Sequence, residues 1–133
     1  MFHDAKKIWK SAAYALKGFY HAYRADKSFR MEIVYGLPVY LAVGWYLAPF
    51  QAWEFVFLVF SYALILIVEL INTAFEKMLD RLHPDEHELI GKSKDIASAA
   101  VFVAFLFATV VVFVLFCARA GYGPYDSTGW LFV

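Results

Sequence analysis

The sequence predicts an all-α membrane protein, with one amphipathic helix on the membrane surface followed by three transmembrane helices. Three observations carry that prediction. The 133 residues are 62% hydrophobic and 20% aromatic, with a mean hydropathy of +0.58, too apolar for a water-soluble domain of this size and too short for several domains. Three long runs have almost no charge: Ile33 to Pro49 has none, Phe55 to Phe75 has only Glu69, and Ile96 to Ala118 has none. Each can cross a hydrocarbon core about 30 Å thick, which takes about 20 helical residues. The runs are continuous and not alternating, which excludes a β-barrel built from strands of period 2. Finally, the cations are segregated along the chain.

The N-terminal thirty residues lack the continuous apolar region of a cleavable signal. Ile8, Trp9, Ala12, Ala13, Leu16, Phe19, Tyr20 and Tyr23 fill one side of a helical wheel. Lys6, Lys10, Lys17, His21 and Arg24 gather on the other, with Lys7 and Tyr14. This pattern predicts a surface helix over about residues 4–30, with its cations toward phosphates or headgroups. The first span follows over 33–50, with Pro38 bending it or tolerated near its inner end. A short connection bracketed by Trp45, Tyr46 and Trp53, as in an aromatic belt, leads to a second span over 54–80, whose end extends beyond the membrane. A polar loop over 81–95 precedes the third span, 96–118, in which Ala100, Ala104 and Ala108 permit close helix approach. The segment 119–133 is a turn-rich tail, and the lone Cys117 excludes an intramolecular disulfide.

Seven of the twelve Lys and Arg residues precede the first span, four lie between the second and third, and the connection at 50–54 has none. The positive-inside rule therefore predicts a cytoplasmic N-terminus and an outer C-terminus. The acidic and basic segments between the second and third spans are therefore expected on the cytoplasmic side of the membrane. The formal net charge of zero argues neither for nor against a nucleic-acid partner, and none is expected.

Glu69 is the most informative residue. A carboxylate continuous with a membrane-length apolar run is costly and is therefore a functional candidate. At about 100° per residue, Glu69, Asn72, Thr73, Glu76 and Asp80 share one stripe of one helix, descending from membrane depth toward the cytoplasm. The loop beyond it reads His83-Pro84-Asp85-Glu86-His87-Glu88, then Gly91-Lys92-Ser93-Lys94-Asp95. Gly91-Lys92-Ser93 is not a P-loop, because Glu86 stands where the motif needs its first glycine. His83 and His87 are four apart, but Pro84 spoils the helical face a metal pair would use.

An acid at membrane depth, further acids toward water and nearby lysines suit phosphoryl transfer from a nucleotide to a lipid hydroxyl. One carboxylate accepts the hydroxyl proton, others hold Mg²⁺, and cations neutralise phosphate charge. A different class also explains the stripe: a helical oligomer conducting protons or cations past its acids. That alternative gives no role to Lys94-Asp95 or to the basic surface helix.

Glu69-Leu-Ile-Asn72-Thr73-Ala-Phe-Glu76 with Asp80, and His87-Glu88-Leu leading to Lys94-Asp95 and Ser98-Ala-Ala, closely resemble the bacterial integral-membrane diacylglycerol kinases. Lys17-Gly18 and Phe29-Arg30-Met-Glu32 extend the resemblance, which covers about residues 5 to 118. It implies ATP- and Mg²⁺-dependent phosphorylation of diacylglycerol to phosphatidic acid by a homotrimer with shared active sites. On this chain it implies Glu69 as general base on the lipid hydroxyl, with Asn72 orienting groups beside it. It further implies Glu76 and Asp26 as metal ligands. Nucleotide contacts would come from Lys7, Tyr14, Asp26, Glu76, Asp80, Asp85, Glu86, His87, Lys94 and Asp95. Ser98 and Arg30 would lie near the lipid with Glu69. The chain departs from the family at Asp26, where a glutamate is usual, and at Lys7, where an arginine is expected. A related family that phosphorylates undecaprenol shares the stripe and is the enzymatic alternative.

Overall fold

The computed structural model describes residues 2–82 and 87–121, with side chains described from Lys6 onward. All regular structure among them is helical: α1 (Phe2–Ala25), α2 (Lys27–Met31), a π-helical turn (Glu32–Gly36), α3 (Leu37–Leu47), α4 (Ala52–Leu82) and α5 (Glu88–Arg119).

The surface helix expected over 4–30 ends earlier, at Ala25, because Asp26 leaves the helical conformation (φ −115°, ψ 127°). Its Oδ1 accepts a hydrogen bond from the Phe29 amide at 2.9 Å, which caps a new helix. Phe29, fully buried, anchors that helix and meets the Phe19 ring at 5.9 Å between centroids. Most of α1 stands exposed, including Ile8, Trp9 and Leu16.

From Lys27 to Leu47 the backbone is helical without a break, but it widens over Glu32–Gly36, where the Leu37 amide bonds to the Glu32 carbonyl. Pro38 explains the widening. It has no N–H to return to the preceding turn and its ring crowds the carbonyl four residues back, so the turn opens to a longer-range bond. Gly36 lies against Tyr62, and a Cβ there would sit 3.5 Å from Tyr62 Cε2. The helix stops at Leu47 because Ala48, before Pro49, is extended (ψ 152°).

Helices α4 and α5 are each long and apolar enough to cross a membrane. They form the principal packed pair. Ile65 meets Ala104 and Ala108, whose small side chains allow close approach. Nearer the start of α4 and the end of α5, Leu47 and Leu58 pack with Val111 and Leu115, joining α3 to the pair. At 31 residues, α4 is about 46 Å long and exceeds the hydrocarbon thickness by several turns. Those turns carry Glu76 and Asp80.

The loop expected over 81–95 is shorter in the structure, because α4 continues to Leu82 and α5 begins at Glu88. His87 caps α5, its Nδ1 accepting from the Leu89 amide at 3.2 Å, and Glu88 adds a negative charge to the first turn. Lys94 and Asp95 therefore stand inside a helix already under way.

The end of α3, the start of α4 and the end of α5 are clasped by Arg119. Its Nε donates to the Leu47 carbonyl (2.9 Å), and its Nη2 to the Pro49 carbonyl (2.6 Å) and to Glu54 Oε2 (2.9 Å). Its Nη1 donates to Glu54 Oε1 at 3.2 Å. Glu54, 2% exposed, also accepts from the Gln51 amide at 2.8 Å. One guanidinium thus ties the ends of α3, α4 and α5 together.

Candidate active site

The stripe on α4 is buried at its deep end and opens toward water. Glu69 is 4% exposed, Thr73 5% and Asn72 8%, whereas Glu76 is half-buried and Asp80 exposed. Asn72 Nδ2 donates to Glu76 Oε1 at 3.2 Å, the i to i+4 contact expected of neighbours on one helix face. Asn72 also lies near enough to Glu69 to act on its carboxyl, so the amide stands between the two acids.

A second element completes the cluster. In the wide turn before Pro38, the Glu32 carboxyl comes close to Glu69, and Asp26 is near enough to both to act on their charge. The Tyr62 hydroxyl donates to the Glu32 carbonyl at 2.9 Å, and the Tyr62 ring packs on Tyr40 at 4.7 Å, fixing the turn against α4. Sequence reasoning gave Glu32 little weight. Its signal was available all the same, since it is an acid at the inner border of the first apolar run, the same depth as Glu69.

Three buried polar atoms have no hydrogen-bond partner among the described residues: Glu32 Oε2, Asn72 Oδ1 and Thr73 Oγ1. A buried orphan costs about 1–3 kcal/mol, so three within one cluster call for a ligand or a reaction that uses them. No three His, Cys, Asp or Glu side chains among the described residues converge as a metal cage. A cage is not what Mg²⁺ needs beside a nucleotide, where one or two carboxylates suffice and phosphate and water complete the shell. The hard oxygens of Glu76, Asp26, Glu32 and Asn72 fit that demand. Asp26 brings less of its carboxylate to it, since Oδ1 is engaged with Phe29.

The last turns of α4 and the early turns of α5 are joined by an ion pair between Lys94 and Asp80. Lys94 also feels the charge of Glu76, so the ammonium stands at the mouth of the acidic cluster. Asp95 and Ser98 are exposed on α5, and Arg30 is half-buried in the last turn of α2. Tyr14 lies on α1 with Lys17 over its ring at 5.9 Å. Among the described residues no hydrogen bond or ion pair joins Lys7 or Tyr14 to the acids. His87 is the cap of α5, and Asp85 and Glu86 lie outside the described residues.

The cluster therefore combines a buried carboxylate, an amide that stands between it and a second acid, hard-oxygen donors, and a lysine at the open side. Such a set can accept a proton from a hydroxyl at the membrane boundary while holding an anionic partner in water.

Comparison with known proteins gives a consistent result. Residues 13–116 match the family model described as prokaryotic diacylglycerol kinase. The diacylglycerol kinase of Escherichia coli is 35% identical over 115 residues, covering 86% of this chain and 93% of that protein. That of Pseudomonas aeruginosa is 36% identical over 105 residues, covering 79% and 84%. That of Haemophilus influenzae is 31% identical over 101 residues, covering 76% and 84%.

Proposed function

The chain belongs to the prokaryotic diacylglycerol kinase family and is a lipid kinase, and from this premise we propose that it transfers the γ-phosphoryl group of ATP to diacylglycerol, giving phosphatidic acid and ADP at the cytoplasmic face of a bacterial inner membrane. The observation that carries this reading is the burial of Glu69 beside Glu32, Asn72 and Glu76, where the apolar run of α4 gives way to polar turns.

In this reaction Glu69 accepts the proton of the lipid hydroxyl as that oxygen attacks the γ-phosphorus. The bond to the β–γ bridging oxygen breaks, and ADP carries away the electron pair. Asn72 fixes the direction of Glu69 through its amide, and the free Asn72 Oδ1 is available to orient the hydroxyl. Lys94, held by Asp80 until phosphate arrives, meets the charge of the nucleotide. Asp95, His87, Asp85, Glu86, Tyr14 and Lys7 supply the remaining nucleotide contacts, and Arg30 and Ser98 flank the lipid. Mg²⁺, when bound, neutralises phosphate charge, and Glu76 with Asp26 would hold it.

The expected topology of a cytoplasmic N-terminus and three spans is part of the proposal. The helical rod from Lys27 to Leu47 is about 30 Å long at 1.5 Å per residue, which supports it as the first span. The exposed apolar side of α1, with Trp9 and Leu16, supports a helix lying in the interface. A homotrimer with shared sites accounts for Lys7 and Tyr14, which make no hydrogen bond to the acids of their own chain among the described residues.

Purified protein supplied with radiolabelled ATP, Mg²⁺ and either diacylglycerol or undecaprenol tests the assignment. Label in phosphatidic acid is expected. Label in the polyprenol and none in the diacylglycerol overturns it.

A further inference from the structure

Between the C-terminal turns of α1 and the cytoplasmic half of α4 runs a groove of about 800 Å³ that none of the assigned catalytic, metal or nucleotide residues lines. Its floor includes Leu70 and Ala74, and its walls carry His21, Arg24 and Lys77. At the edge nearest the acidic stripe stands Thr73, 95% buried by its 5% exposure, with its hydroxyl oxygen unpartnered among the described residues. A buried hydroxyl with no acceptor or donor in the protein is costly unless something in the groove completes it. Arg24 touches the Tyr20 hydroxyl through Nη1 at 2.9 Å, which braces the guanidinium at the wall and leaves its other donors for a ligand.

We propose that this groove binds the phosphate headgroup of an anionic lipid, with Arg24 and Lys77 on the phosphate, the Thr73 hydroxyl donating to it, and the acyl region against Leu70 and Ala74. The charge selects an anion. A planar fork, an ammonium and a hydroxyl around one point match the several acceptor oxygens of a phosphate better than a single carboxylate. The apolar floor selects a lipid source. Leu70 and Ala74 belong to the part of α4 where the apolar run ends, and cations at that depth draw anionic headgroups. The proposal goes beyond the kinase reading and does not depend on it, because the reacting carboxylates take no part in this binding.

The test uses the full chain in phosphatidylcholine nanodiscs without nucleotide, titrated with a short-chain phosphatidylglycerol, an anionic lipid that is neither substrate nor product of the proposed reaction, and read by phosphorus NMR. The double variant Arg24→Gln/Lys77→Gln is expected to weaken binding at least about tenfold, as loss of charge-assisted contacts should. Thr73→Val, which keeps the shape, is expected to weaken it severalfold while the thermal unfolding midpoint stays. Glu69→Gln is expected to bind as the parent does. Inorganic phosphate is expected to displace the lipid only at far higher concentration. Unchanged affinity in the first two variants overturns the proposal. So does loss of binding in Glu69→Gln, which would put the ligand at the reacting site. Displacement by inorganic phosphate at equal concentration would show a phosphate site with no lipid component.

Discussion

Replacing Arg119 by alanine should destabilise the protein well beyond what a surface substitution does. Its guanidinium makes two contacts to Glu54 and one each to the Leu47 and Pro49 carbonyls. Glu54 is 2% exposed, so its charge loses its partner without gaining bulk water. Breaking a buried pair in this way costs about 3–5 kcal/mol. The Arg119 side chain is itself 35% exposed, so water entering its place offsets part of that, and we expect a loss of about 2–3 kcal/mol. Glu54→Gln keeps an oxygen for the Gln51 amide and leaves a solvated arginine, so about 1 kcal/mol is expected. In the double variant the two losses should not add, falling short of their sum by more than about 0.5 kcal/mol. Reversible unfolding in mixed micelles across the four proteins measures this. Additive losses would show that the clasp is not an energetic unit.

The remaining predictions concern the site. Glu76→Gln should raise the Mg²⁺ concentration needed for half-maximal turnover by about tenfold or more, and a magnesium titration showing the parent dependence would remove Glu76 from metal binding. Glu32→Gln should lower kcat by about 10-fold or more while the unfolding midpoint holds, since Glu32 adjoins the base and carries a buried orphan oxygen. Steady-state kinetics with unchanged kcat would reduce Glu32 to packing.

Much of the frame could be read from residue order. The α4 stripe follows from 3.6-residue periodicity alone, and Glu69, Asn72 and Thr73 are buried together as that geometry requires. What local pattern does not carry is the meeting of distant segments. Glu32 reaches Glu69 only because Pro38 forces the preceding turn to widen and Tyr62 holds it, a contact between residues 30 apart in the chain. Nothing near Arg119 in the chain points to a partner, and its pairing with Glu54 spans 65 residues. Helix ends were the other weak point. Asp26 and His87 each start a helix through a side-chain bond to the backbone, whereas the sequence pattern runs one surface helix through Asp26 and leaves His87 in the loop. Asp26 thereby has a structural duty besides any metal role, which bears on the shorter side chain at that position.

Glu69 is the group on which the proposed phosphoryl transfer depends most. Transfer of label from ATP to diacylglycerol should fall by at least about 10³-fold in Glu69→Gln, while the variant keeps the parent's unfolding midpoint and oligomeric state. Turnover within a few-fold of the parent in a folded Glu69→Gln protein would contradict it.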